Sequence, residues 1–203
     1  MLKNQQQTHH NMVQIGLGIA TSKPDYLERE TVSPKSLSFD GTTDYVTFSE
    51  YEYEINTVDK DLSISFWAKR TDNNDEAVVL GHQGSGSMKR LYFNSDGTRL
   101  YIESDENGQE AYAPVTADTN WHHYVVTSRG SSGGGAATIL MYEDSSSISV
   151  TNTNFGASAL NLTLNRIGDD NAAGDQAFKG LLYQVAIYNK QLSSSEVESM
   201  HND

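Results

Sequence analysis

Two adjacent histidines and three alternating glutamates carry the most obvious chemical potential in this chain. His122 and His123 follow Trp121 in NWHHYVVTSR, and Glu50, Glu52 and Glu54 alternate with Tyr51 and Tyr53 in SEYEYEIN. Imidazoles bind transition metals or act as general bases near neutral pH. In an extended strand, however, neighbouring side chains leave on opposite faces. Period two sends Trp121, His123, Val125 and Thr127 one way and His122, Tyr124 and Val126 the other, so the pair cannot hold one ion. His9, His10, His82 and His201 add no third ligand at metal spacing. The glutamates differ, because alternation keeps three carboxylates on one face with about 7 Å between successive Cβ atoms. A retaining glycosidase needs its two carboxyls about 5 Å apart, with one shielded enough to stay protonated. Only Tyr51 and Tyr53 could shield them here. The stretch therefore reads as a solvated acidic loop just past a strand end.

These groups depend on short strands for their placement. LSISFWAKR alternates Leu62, Ile64, Phe66 and Ala68 with Ser63, Ser65, Trp67 and Lys69. LYFNSDGTRLYIES predicts a hairpin, with Asp96-Gly97 supplying the positive φ of its turn. AVVLGH, WHHYVVTSR, ATILMYED, SISVTN and FKGLLYQVAIYN follow the same pattern, with turn residues every 8 to 12 positions, as in a β-sandwich or barrel. One helix is signalled at the end, in LSSSEVESMHND. Ser193 and Glu196 there make a capping box, with Leu192 and Val197 as a hydrophobic staple. Tyr92, Tyr101, Tyr112 and Tyr142 sit on strand-like stretches and could form sugar-binding platforms or cross-strand structural pairs.

Composition narrows the partners. With 27 acidic and 14 basic residues the net charge is −13, which leaves no basic footprint for nucleic acid and disfavours anionic membranes. No apolar run is long enough to span a bilayer, so membrane insertion is not expected. There are no cysteines, hence no disulfide or thiol chemistry. Residues 1–34 differ from the rest. A polar start around Gln5–Gln7 and a charged stretch between Pro24 and Pro34 cannot bury a core, so an extended N-terminal arm is expected, with one domain over residues 35–203. The start has no apolar signal-peptide core.

SLSFDGTTDYVTF, LSISFWAKR, WHHYVVTSRG, NRIGDDN and FKGLLYQVAIYNKQLSSSEV, in that order, resemble the laminin-G-like modules of the concanavalin A-like lectin/glucanase superfamily. The resemblance spans roughly residues 36 to 200. It implies an all-β, two-sheet antiparallel jelly-roll sandwich of about a dozen strands, with the arm before it and the short helix after it. Phe39, Tyr45, Val46, Phe178, Leu181, Val185 and Ile187 would then be core, Trp121 would plug the core's end, and the helix would cap one edge. The glycines of FDG, RIG and FKG would serve turns or bulges.

The same resemblance implies a non-catalytic module that binds glycans or proteins. Enzymes of the superfamily carry Glu-x-Asp-x-x-Glu, and this chain has no such triplet. Members that bind calcium use rim aspartates, which on this chain would be Asp40 and Asp44 in FDGTTDY and Asp169 and Asp170, with Asn171 and Asp175, in GDDNAAGD. Where the family commonly reads Gly-x-Ile-Asp-Glu-Val, Leu182, Tyr183 and Gln184 stand instead, and the competing reading is aspartates that cap their own turns. Calcium is the one cofactor the resemblance suggests. The expected function is a binding or structural module on a particle surface, such as a virion decoration or tail-associated protein, held to protein partners by residues 1–34 and open to glycans. Two alternatives stand beside it: a calcium-dependent lectin module of a cell-surface protein, and a glycoside hydrolase using Glu50, Glu52 and Glu54.

Overall fold

The computed structural model describes residues 12–14, 36–54, 61–72, 75–82, 89–104, 109–129, 138–153, 161–170 and 176–203. Along the chain these form β1 (Met12–Gln14), β2 (Leu37–Asp40), β3 (Val46–Glu54), β4 (Asp61–Arg70), β5 (Ala77–Gly81), β6 (Arg90–Phe93) and β7 (Arg99–Ser104). They continue with β8 (Gln109–Pro114), β9 (Trp121–Arg129), β10 (Thr138–Glu143), β11 (Ser146–Ile148), β12 (Thr151–Thr153), β13 (Asn161–Ile167), β14 (Lys179–Tyr188) and α1 (Ser194–Asn202). The first sheet runs β1-β14-β4-β9-β10-β11, with β2 also on β14, and the second runs β12-β8-β7-β6-β5-β13-β3. All the strand pairs are antiparallel, giving the expected sandwich.

Alternation builds the core. Leu62, Ile64 and Phe66 of β4, Tyr124 and Val126 of β9, and Met141 of β10 face Leu91, Phe93, Leu100 and Ile102 of the second sheet in one buried cluster. Rings interlock across the layers. Phe66 stacks on Tyr124 at 5.4 Å and meets Phe93 edge-on at 6.3 Å.

Among the described residues three register slips shift the alternation, one of them between Val78 and Leu80 of β5. In β14 the register slips between Tyr183 and Ala186, with Gln184 at φ +49°, so Leu182 is core and Leu181 is only half-buried. In β3 a slip opposite Leu164 and Arg166 turns both Phe48 and Tyr51 toward the core. Tyr45 is no core residue either: it is 49% exposed, beneath the Arg166 guanidinium at 3.9 Å. In the β6–β7 hairpin only Gly97 takes positive φ, +66°, and Asn94 O accepts its N–H at 2.8 Å. Gly41 and Gly168 are left-handed as expected, and Gly180 has φ +142°.

The helix starts as the sequence predicts. Ser193 accepts the Glu196 N–H and the Glu196 side chain accepts that of Ser193. Its position differs from the expectation, because α1 covers the outer face of the first sheet rather than an edge. Leu192 and Val197 pack on Val125 and Tyr142. Ser63, on the polar side of β4, donates to Lys190 O at 2.8 Å and accepts from Leu192 N at 2.9 Å, tying the segment before the helix to the sheet. Of residues 1–34 only Met12–Gln14 are described, and they pair with Ala186–Tyr188 of β14. Among the described residues no helix is long and apolar enough to cross a membrane.

Candidate functional site

The carboxylates singled out for catalysis lie inside strand β3 rather than in a loop beyond it. Glu50 and Glu52 are exposed, and His82 Nε2 is 3.3 Å from Glu50 Oε2. The side chain of Glu54 lies outside the described residues.

The aspartates considered for calcium occupy two settings. Asp40 Oδ1 accepts the N–H groups of Thr42 and Thr43 at 2.8 Å and that of Asp44 at 3.2 Å, and Asp44 Oδ2 accepts the Asp40 N–H at 3.1 Å. The backbone bonds from Thr43 and Thr42 hold the Asp40 carboxyl well below the usual carboxylate range. Asp169 and Asp170 are buried against arginines. Asp169 Oδ2 takes Arg166 Nη1 at 2.7 Å, and Asp170 Oδ2 lies 3.4 Å from Arg90 Nη1. Burial pushes the Asp170 carboxyl up despite Arg90. Among the described residues no three His, Asp or Glu side chains converge to hold an ion. Asn171 and Asp175 fall outside them.

The pair of histidines separates as period two requires. His122, on the inner side of β9, sits between carboxylates: Nδ1 is 2.6 Å from Asp144 Oδ2 and Nε2 is 3.0 Å from Asp118 Oδ1. Asp144 opens the β10–β11 turn at φ +48° and also accepts the His123 N–H at 2.9 Å. Partial burial disfavours the imidazolium, but the bonds to Asp144 and Asp118 outweigh it and raise the pKa of His122. A pKa raised on folding contributes stability that is complete below the unfolded value near 6.5 and is lost as pH rises through the folded value. The melting temperature of the wild type should therefore exceed that of His122→Gln at pH 6, and the gap should narrow by pH 8.5. A gap that widens with pH would contradict this. Trp121 does not plug the core. It is 37% exposed on the outer face of the first sheet.

The tyrosines converge on the outer face of the second sheet. Tyr92 pairs with Tyr101 and Tyr101 with Tyr112 in direct register on β6, β7 and β8, and Thr151 of β12 extends the row. The rings stack at 5.1 Å and 4.8 Å. Arg90 lies over the Tyr92 ring at 4.0 Å, and Arg99 over Tyr112 at 5.1 Å, with Nη1 3.4 Å from the Tyr101 hydroxyl. Because ring faces are used up by neighbours, the half-buried Tyr101 and Tyr112 offer edges and phenolic hydroxyls to the surface. The adjacent row is charged: Arg90 pairs with Glu103, and Glu103 with Glu110.

Arg90 anchors this face. Its Nε donates to Glu103 at 2.8 Å, and its Nη1 reaches Gln176 at 2.6 Å and Glu76 at 3.2 Å. Sequence reasoning passed over it, because an arginine that opens a strand looks like an exposed end. Tyr142, the fourth candidate platform, belongs to the other sheet, under α1.

A family model named Laminin_G_3, described as concanavalin A-like lectin/glucanases superfamily, matches residues 40–198. No curated protein matches the sequence. Among solved structures, domain 4 of AbnA, a GH43 extracellular arabinanase from Geobacillus stearothermophilus in complex with arabinotriose, is 16% identical with a TM-score of 0.55. That likeness covers 82% of this chain and 76% of that one. The CBM40 of the Ruminococcus gnavus IT-sialidase, bound to α2,6 sialyllactose, is 13% identical with a TM-score of 0.54, over 79% and 97%. The binding domain of Paraclostridial Mosquitocidal Protein 1 is 17% identical with a TM-score of 0.52, over 74% of this chain and only 38% of that one. At these identities the likeness is one of fold.

Proposed function

Because the chain belongs to the concanavalin A-like lectin/glucanase superfamily through its laminin-G-like domain, we propose that it is a non-catalytic module that binds carbohydrate on the outer face of its second sheet. The tyrosine row carries this reading. Tyr101, Tyr112 and Thr151 place hydroxyls on successive strands beside Glu103, Glu110 and Arg99. A surface of hydroxyls and paired charges, backed by stacked rings, suits the many weak hydrogen bonds a sugar makes. The arabinotriose and sialyllactose complexes of the fold relatives support the same use. A catalytic reading has less behind it, since the glycosidase triplet is missing and Glu50 and Glu52 stand exposed on another strand.

Residues 1–34 would attach the module to protein partners in a larger particle, with a virion surface as the setting. The polar, core-less composition of that segment supports this. A glycan array tests the first part and an incorporation assay the second. The full chain should bind a subset of glycans, and deletion of residues 1–34 should leave that pattern intact while abolishing incorporation into the parent particle. A blank array would sink the carbohydrate reading, and unchanged incorporation would sink the tether.

A further inference from the structure

Beneath α1 lies a layer of three aromatic rings. His123, 1% exposed, faces outward from β9, and its Nε2 is 2.9 Å from Ser65 Oγ while its Nδ1 has no partner. Trp67 of β4 stacks on His123 at 5.0 Å. His201, in the last turn of α1, stacks on Trp67 at 5.2 Å and on His123 at 5.8 Å, and its Nδ1 is also buried without a partner. The three planes lie within 25° of parallel. A metal must lie near the plane of each imidazole that binds it, and near-parallel planes do not meet at a common point. The two histidines are therefore packing partners rather than a chelate.

Among the described residues the helix is also held by the Ser63 bonds to the segment before it and by the Lys190–Glu196 ion pair. Its apolar contact with the sheet is a small cluster of Val125, Tyr142, Leu192 and Val197, with Tyr188 and Met200 packed against it, separate from the main core. A nine-residue helix is marginal alone in water, so α1 persists only while docked. We propose that the His123–Trp67–His201 layer is an acid-sensitive latch, in which protonation of His123 releases α1 and uncovers Trp67, Val125 and Tyr142 while the sandwich stays folded.

The charges around His123 set the direction. Asp144, at the β10–β11 turn, favours the imidazolium, yet its Oδ1 already accepts the His123 N–H and its Oδ2 the His122 ring. From α1, His201 opposes a second charge, and Glu198 and Asp203 near it are exposed. Lys69 of β4 is exposed, Tyr183 of β14 pairs with Trp67 in register, and His122 of β9 is on the other face. Burial is the largest influence and, with His201, brings the pKa of His123 down to about 4. The docked state thus holds this proton less tightly than the released state. Docking is fully favourable above about pH 6.5 and weakens as pH falls through 4, by up to about 300-fold for one proton.

Amide hydrogen exchange of the full chain, read as protection factors at pH 7.5 and 4.5, tests the latch. Protection in residues 194–202 should fall by roughly 80-fold at pH 4.5, with β4 and β9 still protected. In His123→Gln, whose amide can still meet Ser65 Oγ, the acid loss should vanish. In His201→Gln it should become smaller, since the opposing imidazole is gone and the docked His123 takes up its proton more readily. Equal protection of α1 at both pH values overturns the proposal. So does an unchanged acid loss in His123→Gln, or loss of β4 and β9 together with the helix.

Discussion

Replacing Arg90 by methionine is expected to cost about 3–5 kcal/mol of stability, the usual penalty for removing one partner from a buried charge network. The guanidinium is bonded to Glu103 and Gln176 and reaches Glu76 and Asp170, and its own face rests on Tyr92. Methionine would preserve much of the packing on Tyr92 but strand the carboxylate of Asp170, whose Oδ1 is already buried without a partner. Glu103 and Glu76 are better placed to turn toward water. Lysine should rescue little, because one ammonium cannot reproduce a planar fork aimed at several acceptors. The deficit should shrink as pH is lowered, since a protonated Asp170 no longer leaves a buried charge behind. Urea unfolding at pH 7 and pH 5 measures both effects. A loss under about 1 kcal/mol at pH 7 would mean the network adds no stability.

A second large effect is expected at Gly180. Its φ of +142° is a conformation that other residues rarely adopt, and a Cβ there would lie 2.2 Å from Lys69 O and 3.0 Å from Arg70 Cα. Both obstacles are backbone of the paired strand β4 and cannot step aside without breaking the ladder. Gly180→Ala should cost about 4 kcal/mol or more, as strain and overlap add. Gly41→Ala is the informative control. It also has positive φ, +80°, and its Cβ would lie 2.8 Å from Lys179 Cβ, a milder overlap than the 2.2 Å approach to a backbone oxygen at Gly180, so a smaller loss of about 2 kcal/mol is expected. Equal losses in the two variants would show that the close approach of β4 and β14 does not matter.

Local features were the legible ones. The capping box at Ser193 and Glu196 is a four-residue signal and formed as read. Period two correctly parted His122 from His123, because strand alternation needs no tertiary information. Errors arose where distant segments decide. Leu181 and Leu182 exchange roles because of a bulge at Gln184, a residue with no glycine-like mark of positive φ. Ser63, Ser65 and His123 look like a solvent-facing row, yet all are buried because α1, well over a hundred residues after Ser63, folds over them. The tyrosines were visible individually. Their assembly into one row depends on the register of three strands, and the role of Arg90 depends on residues as far away as Gln176.

The central claim is that the outer face of the second sheet is the binding surface, and calorimetric titration with an array-identified glycan tests it most directly. Tyr101→Ala removes the middle of the stacked row, with Trp121→Ala, exposed on the outer face of the first sheet, as a control. Tyr101→Ala should weaken binding about tenfold or more, corresponding to loss of one or two hydrogen bonds with ring packing. The control should bind as the wild type does. Undiminished affinity in Tyr101→Ala, or a loss confined to Trp121→Ala, would place the site elsewhere and contradict this account.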